Sequence, residues 1–460
     1  MINKCTKILR SSVALALSAA LLCGCASNKS EGSDSSYAAS ASAVSSKSGG
    51  SENTDTQPSN NTGTQPDNNT AANTDVRFLS VKNGKLVDGN GKTVTLRGVN
   101  LGGWLIQEYW MCPVNSGNGD KWSNLDTINA FKNSGMTDSQ IQQLFDTYQD
   151  NWITEYDLDI IAGSGANCVR VPFWYRNFML DEKGTWINDN PDKNPGFKRL
   201  DWIIKQAGAR GLYVILDMHG CPGGQSMDHS TGTIGRNDLY TSSVCRETMK
   251  KLWVAIAQRY KGNATVAAYD IMNEPQNNGD EYKQNQNYVS AWDSKSWNKS
   301  NEVYREMIAA IRKVDAEHII SIEGIWRIGN LPNAKSEGWT NMLYQVHMYD
   351  DTATFEKLAG SIASYAKSNG VAVYVGEFSN LDGISICEKY GISWTTWTYK
   401  GSYGPNGTWF WYYGYVMPVV PGKTDFNTAL ERWGKSLRTD SGGFTRANDV
   451  CNAVTKATGA

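Results

Sequence analysis

The stretch VAAYDIMNEP, Val266–Pro275, decides how this sequence folds. A run of small and apolar residues reads as a buried strand, and it finishes in an amide, a carboxylate and a proline. A strand covered on both faces is apolar almost throughout, so Asn273 and Glu274 belong where the strand stops being core. The C-terminal face of a (β/α)8 barrel is such a place, because there the strand ends open into loops around a shared mouth.

Seven further runs have the same character: TLRGVNLG (95–102), CVRVPF (168–173), YVILDMHG (213–220), IISIEGI (319–325), MLYQVHMYD (342–350), VAVYVGEF (371–378) and ISWTTWTY (392–399). Between the runs lie segments with apolar residues three and four apart, among them SQIQQLFDTYQDNWITEYDLDIIAG and ETMKKLWVAIAQRYKG, which read as amphipathic helices. Thr137 and Gln140 have the spacing of a capping box, and GSGANC (163–168) reads as a turn from helix to strand. Strict alternation predicts an α/β fold, either a (β/α)8 TIM barrel or an open doubly wound sheet. The polar residues sit at or beyond the C-terminal end of each strand, whereas an open sheet would gather them at one switch point. We therefore expect the barrel, preceded by a short N-terminal β-hairpin with turns at KNGK and DGNGK.

Three segments are expected along the 460 residues. Lys4, Lys7 and Arg10 precede SVALALSAALL, which reads as a signal peptide over 1–24. Leu22, Gly24 and Cys25 resemble a bacterial lipobox, which implies lipidation at Cys25 and an exported, cell-surface lipoprotein held at the membrane through an N-terminal lipid anchor. Residues 25–76 are rich in Ser, Asn and Thr, repeat TQPSNNTGTQPDNNT, and cannot bury a core; as a flexible tether of about 50 residues they would reach roughly 40 Å. Residues 77–460 form the single catalytic domain.

Composition narrows the partners. Without the three basic residues of the leader, the 44 Lys+Arg against 46 Asp+Glu leave a chain about five charges negative. Nucleic acid is an unsuitable partner for such a chain. The 17 Trp and 22 Tyr exceed what a core of this size needs, and flat rings with polar rims suit the C–H faces and hydroxyls of sugars. Six cysteines follow the tether, Cys112, Cys168, Cys221, Cys245, Cys387 and Cys451; an exported location permits disulfides but the sequence does not choose their pairing. No C-x-x-C or clustered His/Cys set points to zinc, and neither a metal nor an organic cofactor is expected.

Glu274 ends the fourth run and Glu377 the seventh, in YVGEF. In a barrel those two ends face each other, and two carboxyl groups so placed can share glycosidic bond cleavage, one as proton donor and one as nucleophile.

Taken together, YDIMNEP, YVGEF, LRGVNLGGWL, NCVRVPF, LDMHG, VHMYD and TWTYK resemble, in order and position, glycoside hydrolase family 5, retaining β-glycanases built on a (β/α)8 barrel. The resemblance runs from about residue 78 to the last strand. It implies that Glu274 is the acid/base and Glu377 the nucleophile, that Asn273 bonds the sugar 2-hydroxyl, and that Arg170 and Tyr349 hold Glu377. It also implies that His219 and His347 complete the polar floor and that Trp397 stacks beneath the sugar. Arg170 could instead merely bridge two strand ends, the histidines could be core residues, and Trp394 competes with Trp397 for the stacking role. LGGWLIQEYW (101–110) and LDMHGCPGGQSMDHSTG (216–232) look like the exo-β-1,3-glucanase branch, which implies that Glu108 binds hydroxyls of a terminal glucose. EYWMCPVNSGNGD departs from that branch, and Trp409 and Trp411 either extend the binding surface or cap the barrel.

The expected activity is hydrolysis of β-1,3-glucan, or β-1,6-glucan, by a monomer. A β-1,4- or mixed-linkage glucanase, a transglycosylase and a non-catalytic glycan-binding lipoprotein are the alternatives.

Overall fold

The computed structural model describes residues 76–276, 294–325, 327–414 and 416–460. The signal peptide, Cys25 and the tether lie outside the described residues. All of the described residues belong to one compact unit, residues 69–460.

Each of the eight apolar runs forms a strand, and the eight close into one parallel barrel. Two hairpin strands precede them, β1 (Ser80–Lys82) and β2 (Lys85–Val87); the barrel comprises β3 (Arg97–Asn100), β4 (Cys168–Trp174), β5 (Tyr213–Gly220), β6 (Val266–Asp270), β7 (Ile319–Glu323), β8 (Met342–His347), β9 (Ala372–Glu377) and β10 (Ser393–Thr396). Closure is made where Trp394 pairs with Arg97 and Thr396 with Val99. Strand burial is continuous, as expected where helices cover the outside and side chains fill the inside.

The hairpin plugs the lower end of the barrel. Its turn residues Asn83 (φ 51°) and Gly84 (φ 74°) both take positive φ, as a two-residue type I′ turn requires. Leu79 and Leu86 are thereby packed against Cys168, Tyr213, Ile215, Ile319, Leu343, Ala372 and Tyr374 at the strand starts. This apolar floor fills the strand-start end of the barrel.

Among the helices, the long periodic segment after residue 138 divides in two, Asp138–Trp152 and Glu155–Gly163. Thr154 interrupts it: its backbone N–H and hydroxyl both donate to the Asp157 carboxylate, at 2.7 and 2.9 Å, and start a new helix. The expected Thr137–Gln140 capping box is present. The six cysteines are all buried and unpaired, so no disulfide braces these residues.

Three strands stop three or four residues earlier than the sequence implies. β6 ends at Asp270 rather than Glu274, β8 at His347 rather than Asp350, and β10 at Thr396 rather than Tyr399. In the case of β6 the ladder splits at the mouth: Ile271 N–H bonds to Ser321 O on β7, while Asn273 N–H turns back to Met218 O on β5. Asn273 and Glu274 are therefore on a short extension beyond the strand, where a side chain can project over the mouth instead of into the barrel.

Candidate active site

Arg170, on β4, is fully buried in the middle of the barrel. Its guanidinium reaches Glu377 Oε1 at 2.7 Å, Asp270 Oδ2 at 2.9 Å, Asn273 Oδ1 at 2.9 Å, Asn100 Oδ1 at 3.0 Å and Asp217 Oδ2 at 3.1 Å. One planar fork thus ties β3, β5 and β9 to β6 and the segment following it, a use for which a lysine has too few fixed donors. Three carboxylates around a single cation would be prohibitive in this interior without such pairing. Burial still pushes the Asp270 carboxyl up to about 6, against the pull of Arg170.

Above this layer stand the two predicted carboxyls. Glu377 Oε1 takes the Arg170 bond, and its Oε2 accepts from the Tyr349 hydroxyl at 2.8 Å. Glu274 Oε1 lies 2.9 Å from His347 Nδ1, and Glu377 Oε2 lies 3.5 Å from the same nitrogen. Sharing that atom, the two oxygens can be no farther apart than the sum of those lengths. That places the two carboxyl groups side by side at the mouth and is compatible with the about 5 to 5.5 Å of retaining pairs.

Their surroundings differ. Burial is the main influence raising both carboxyls. Glu274 rises to about 7: the charges of Asp228 and Glu108 add to the effect of burial, and His219 and Arg170 oppose it. Glu377 is also raised, but Arg170 and Tyr349 donate directly to its two oxygens. Glu274 has no such donor pair and keeps its proton more readily, so the two carboxyls are fitted to different protonation states near neutral pH. His347 is held neutral by burial, its pKa lowered to about 3.

The remaining predicted residues gather around them. Asn273 donates towards His219 Nε2 at 3.4 Å, and its oxygen faces Arg170. His219 Nδ1 contacts Asp217 at 2.8 Å, and its ring lies parallel to Trp397, with centroids 5.5 Å apart and planes at 10°. Trp394 is fully buried and donates to Glu388 of the outer helix Asp382–Tyr390, so of the two tryptophans it is Trp397 that belongs to the mouth. Two glycines make the crowding feasible. A Cβ on Gly376 would come within 2.0 Å of Gln345 Oε1, and one on Gly102 within 3.1 Å of the Trp397 ring.

Glu108 closes one side. It is 6% exposed, and its Oε2 meets Trp110 Nε1 at 2.7 Å and His229 Nε2 at 3.2 Å. His229 also pairs with Asp228, and the two carboxylates outweigh burial to raise the imidazole to about 9. Trp409 and Trp411 are buried and cap the barrel, and Trp409 packs beneath Trp110, which is the exposed ring.

Sequence reasoning did not single out Asp217, Asp270, Glu323, His229 or Trp110. Asp217 and His219 alternate in LDMHG, and IISIEGI carries an acid near its end as YVGEF does, so the pattern of strand-end carboxyls could have found Glu323. Among the described residues one group of three, Glu274, Glu323 and His347, brings metal-ligating atoms within 4.8 Å of one another. Of these, His347 Nδ1 is within hydrogen-bond distance of Glu274 Oε1, at 2.9 Å.

The family model of cellulase (glycosyl hydrolase family 5) matches residues 87–414. A β-xylosidase of Phanerodontia chrysosporium is 28% identical over 365 residues, 70% of this chain and 71% of the relative. A protein of Aspergillus niger named "Probable glucan 1,3-beta-glucosidase A" is 30% identical over 189 residues, 40% of this chain and 42% of the relative. The crystal structure of an endogalactoceramidase shares the fold at 15% identity, with a TM-score of 0.55 over 82% of this chain and 84% of that one.

Proposed function

The chain belongs to the cellulase family, glycosyl hydrolase family 5, and on that premise we propose that it cleaves β-glucosidic bonds with retention of configuration. In this reading Glu377 attacks the anomeric carbon while Glu274 protonates the departing oxygen, and Glu274 then deprotonates the water that releases the sugar. The observation that carries it is the approach of both carboxyls to one atom, His347 Nδ1, at 2.9 and 3.5 Å. Arg170 and Tyr349 stabilise the ionised nucleophile. Asn273 faces the 2-hydroxyl, whose bond strengthens as positive charge grows at the anomeric centre. Trp397 supplies the flat surface under the ring.

For substrate we propose β-1,3-glucan, with β-1,6-glucan second. The motif likeness around Glu108 supports this, as does the name of the Aspergillus relative. A buried carboxylate with one oxygen already held by Trp110 and His229 can direct the other at a sugar hydroxyl, and a site built for such a bond rejects an epimer lacking it. The name of the Phanerodontia relative favours a second reading, action on β-xylosides. We further propose that the leader and tether make this a monomeric, surface-anchored lipoprotein.

Product analysis on laminarin, pustulan, carboxymethylcellulose, lichenan and xylan tests the substrate. Glucose or short oligosaccharides from laminarin support the proposal. Cleavage confined to carboxymethylcellulose and lichenan, or to xylan, refutes it.

A further inference from the structure

Glu323 closes β7 much as Glu377 closes β9, yet the two-carboxyl chemistry does not use it. Its side chain is fully buried. Oε2 accepts the backbone N–H of Glu274 at 2.7 Å. Oε1 has no hydrogen-bond partner and stands 3.5 Å from His347 Nδ1, the atom that lies 2.9 Å from Glu274 Oε1. Glu323 therefore holds the main chain of Glu274 directly, while its other oxygen lies against the imidazole nitrogen that meets the Glu274 carboxyl. The main-chain grip falls where it is needed, because Glu274 has φ +39°, a conformation that side-chain-bearing residues rarely adopt.

The charged and titratable groups facing Glu323 are Glu274 and His347 at the mouth, Asp270 and Arg170 below, and Tyr240 and Tyr304 on the outer side. Arg170 spends its short contacts on Asp217, Asp270 and Glu377, so among the described residues no cation touches Glu323. Burial, and then the charge of Glu274, raise its carboxyl well above the usual range.

We propose that Glu323 is a positioning residue for the proton donor: by accepting the Glu274 N–H it fixes the strained main chain from which the Glu274 carboxyl is aimed. This rests on the reading of Glu274 as the acid. It gives Glu323 an effect on proton donation and none on attack by Glu377.

Glu323→Ala and Glu323→Gln in the full chain, assayed on aryl β-glucosides of graded leaving-group ability, test it. Glutamine can accept the Glu274 N–H through its side-chain oxygen, so Glu323→Gln keeps kcat/KM within about 3-fold and keeps the wild-type pH profile. Glu323→Ala lowers kcat/KM about 10- to 100-fold on poor leaving groups and under 3-fold on dinitrophenyl glucoside. Its basic limb also moves to lower pH, because water replacing the side chain relieves the burial that raises Glu274. Equal loss across leaving groups, or a Gln variant as impaired as Ala with Tm intact, overturns the role. An inactive wild type would instead overturn the proposed function and this role with it; a wild type that turns over beside a flat Ala series overturns this role alone. If Ala fails to fold, comparing wild type with Gln still decides, since a shifted pH profile in Gln contradicts the proposal.

Discussion

Arg170 Nη1 and Glu377 Oε1 lie 2.7 Å apart, and the arginine at one end of that bond is wholly buried. Their pairing links the structural centre of the barrel to the proposed nucleophile. The same guanidinium that offsets Asp217 and Asp270 also supplies the charge that opposes protonation of Glu377.

Replacing Arg170 should therefore cost stability and activity together. Arg170→Met leaves three buried carboxyls without a cation, a change expected to destabilise by about 3 to 5 kcal/mol. Arg170→Lys keeps the charge but not the fork, and should retain the fold with kcat reduced at least about 10-fold. Chemical denaturation and steady-state kinetics check both. A Met variant as stable as wild type would contradict the account of this hub.

The pH dependence of kcat/KM should be a narrow bell. In the proposed mechanism turnover needs Glu274 protonated and Glu377 ionised, so activity should fall as pH rises through about 7, where Glu274 loses its proton. The acid limb lies above the usual glutamate value, because burial raises Glu377 as well. These limbs belong to the coupled pair rather than to either group alone. A basic limb at pH 9 or above would contradict the assignment of Glu274 as the acid.

Stability should respond at alkaline pH through His229. Its folded pKa, about 9, is raised above the ordinary 6.5, so the stability it contributes is fully present below about pH 6.5 and is lost as pH rises through about 9. The contribution is of order 3 kcal/mol. Thermal melts from pH 6 to 10 should show a falling Tm for wild type and a flatter profile for His229→Gln. Parallel profiles would contradict the Asp228–His229–Glu108 ion pairing.

Much of this was legible in the sequence because the physics is local. Each barrel strand is a short apolar run, so all eight could be read directly, and the KNGK turn announced the hairpin. The paired glutamates were visible because a charged residue at the end of a buried strand has no structural reason to be there. Strand ends were misplaced because Ile271 and Asn273 bond to opposite neighbours, a division that only the assembled barrel decides. His229 escaped notice for a similar reason: its meaning lies in Glu108, which is remote in sequence and adjacent only once the barrel has closed. For Trp409 and Trp411 the sequence left binding and capping equally open, and only packing shows that both are buried, with Trp409 against the Trp110 ring.

Adding azide to the Glu377→Ala variant tests the central claim most directly. With the nucleophile gone and Glu274 still able to donate its proton, turnover of an activated aryl β-glucoside should vanish. Azide should restore it by entering the vacated space, giving the α-glucosyl azide, whose anomeric proton is read by NMR. Absence of rescue in a folded variant, or formation of the β-azide, would contradict the assignment of Glu377 as the attacking group.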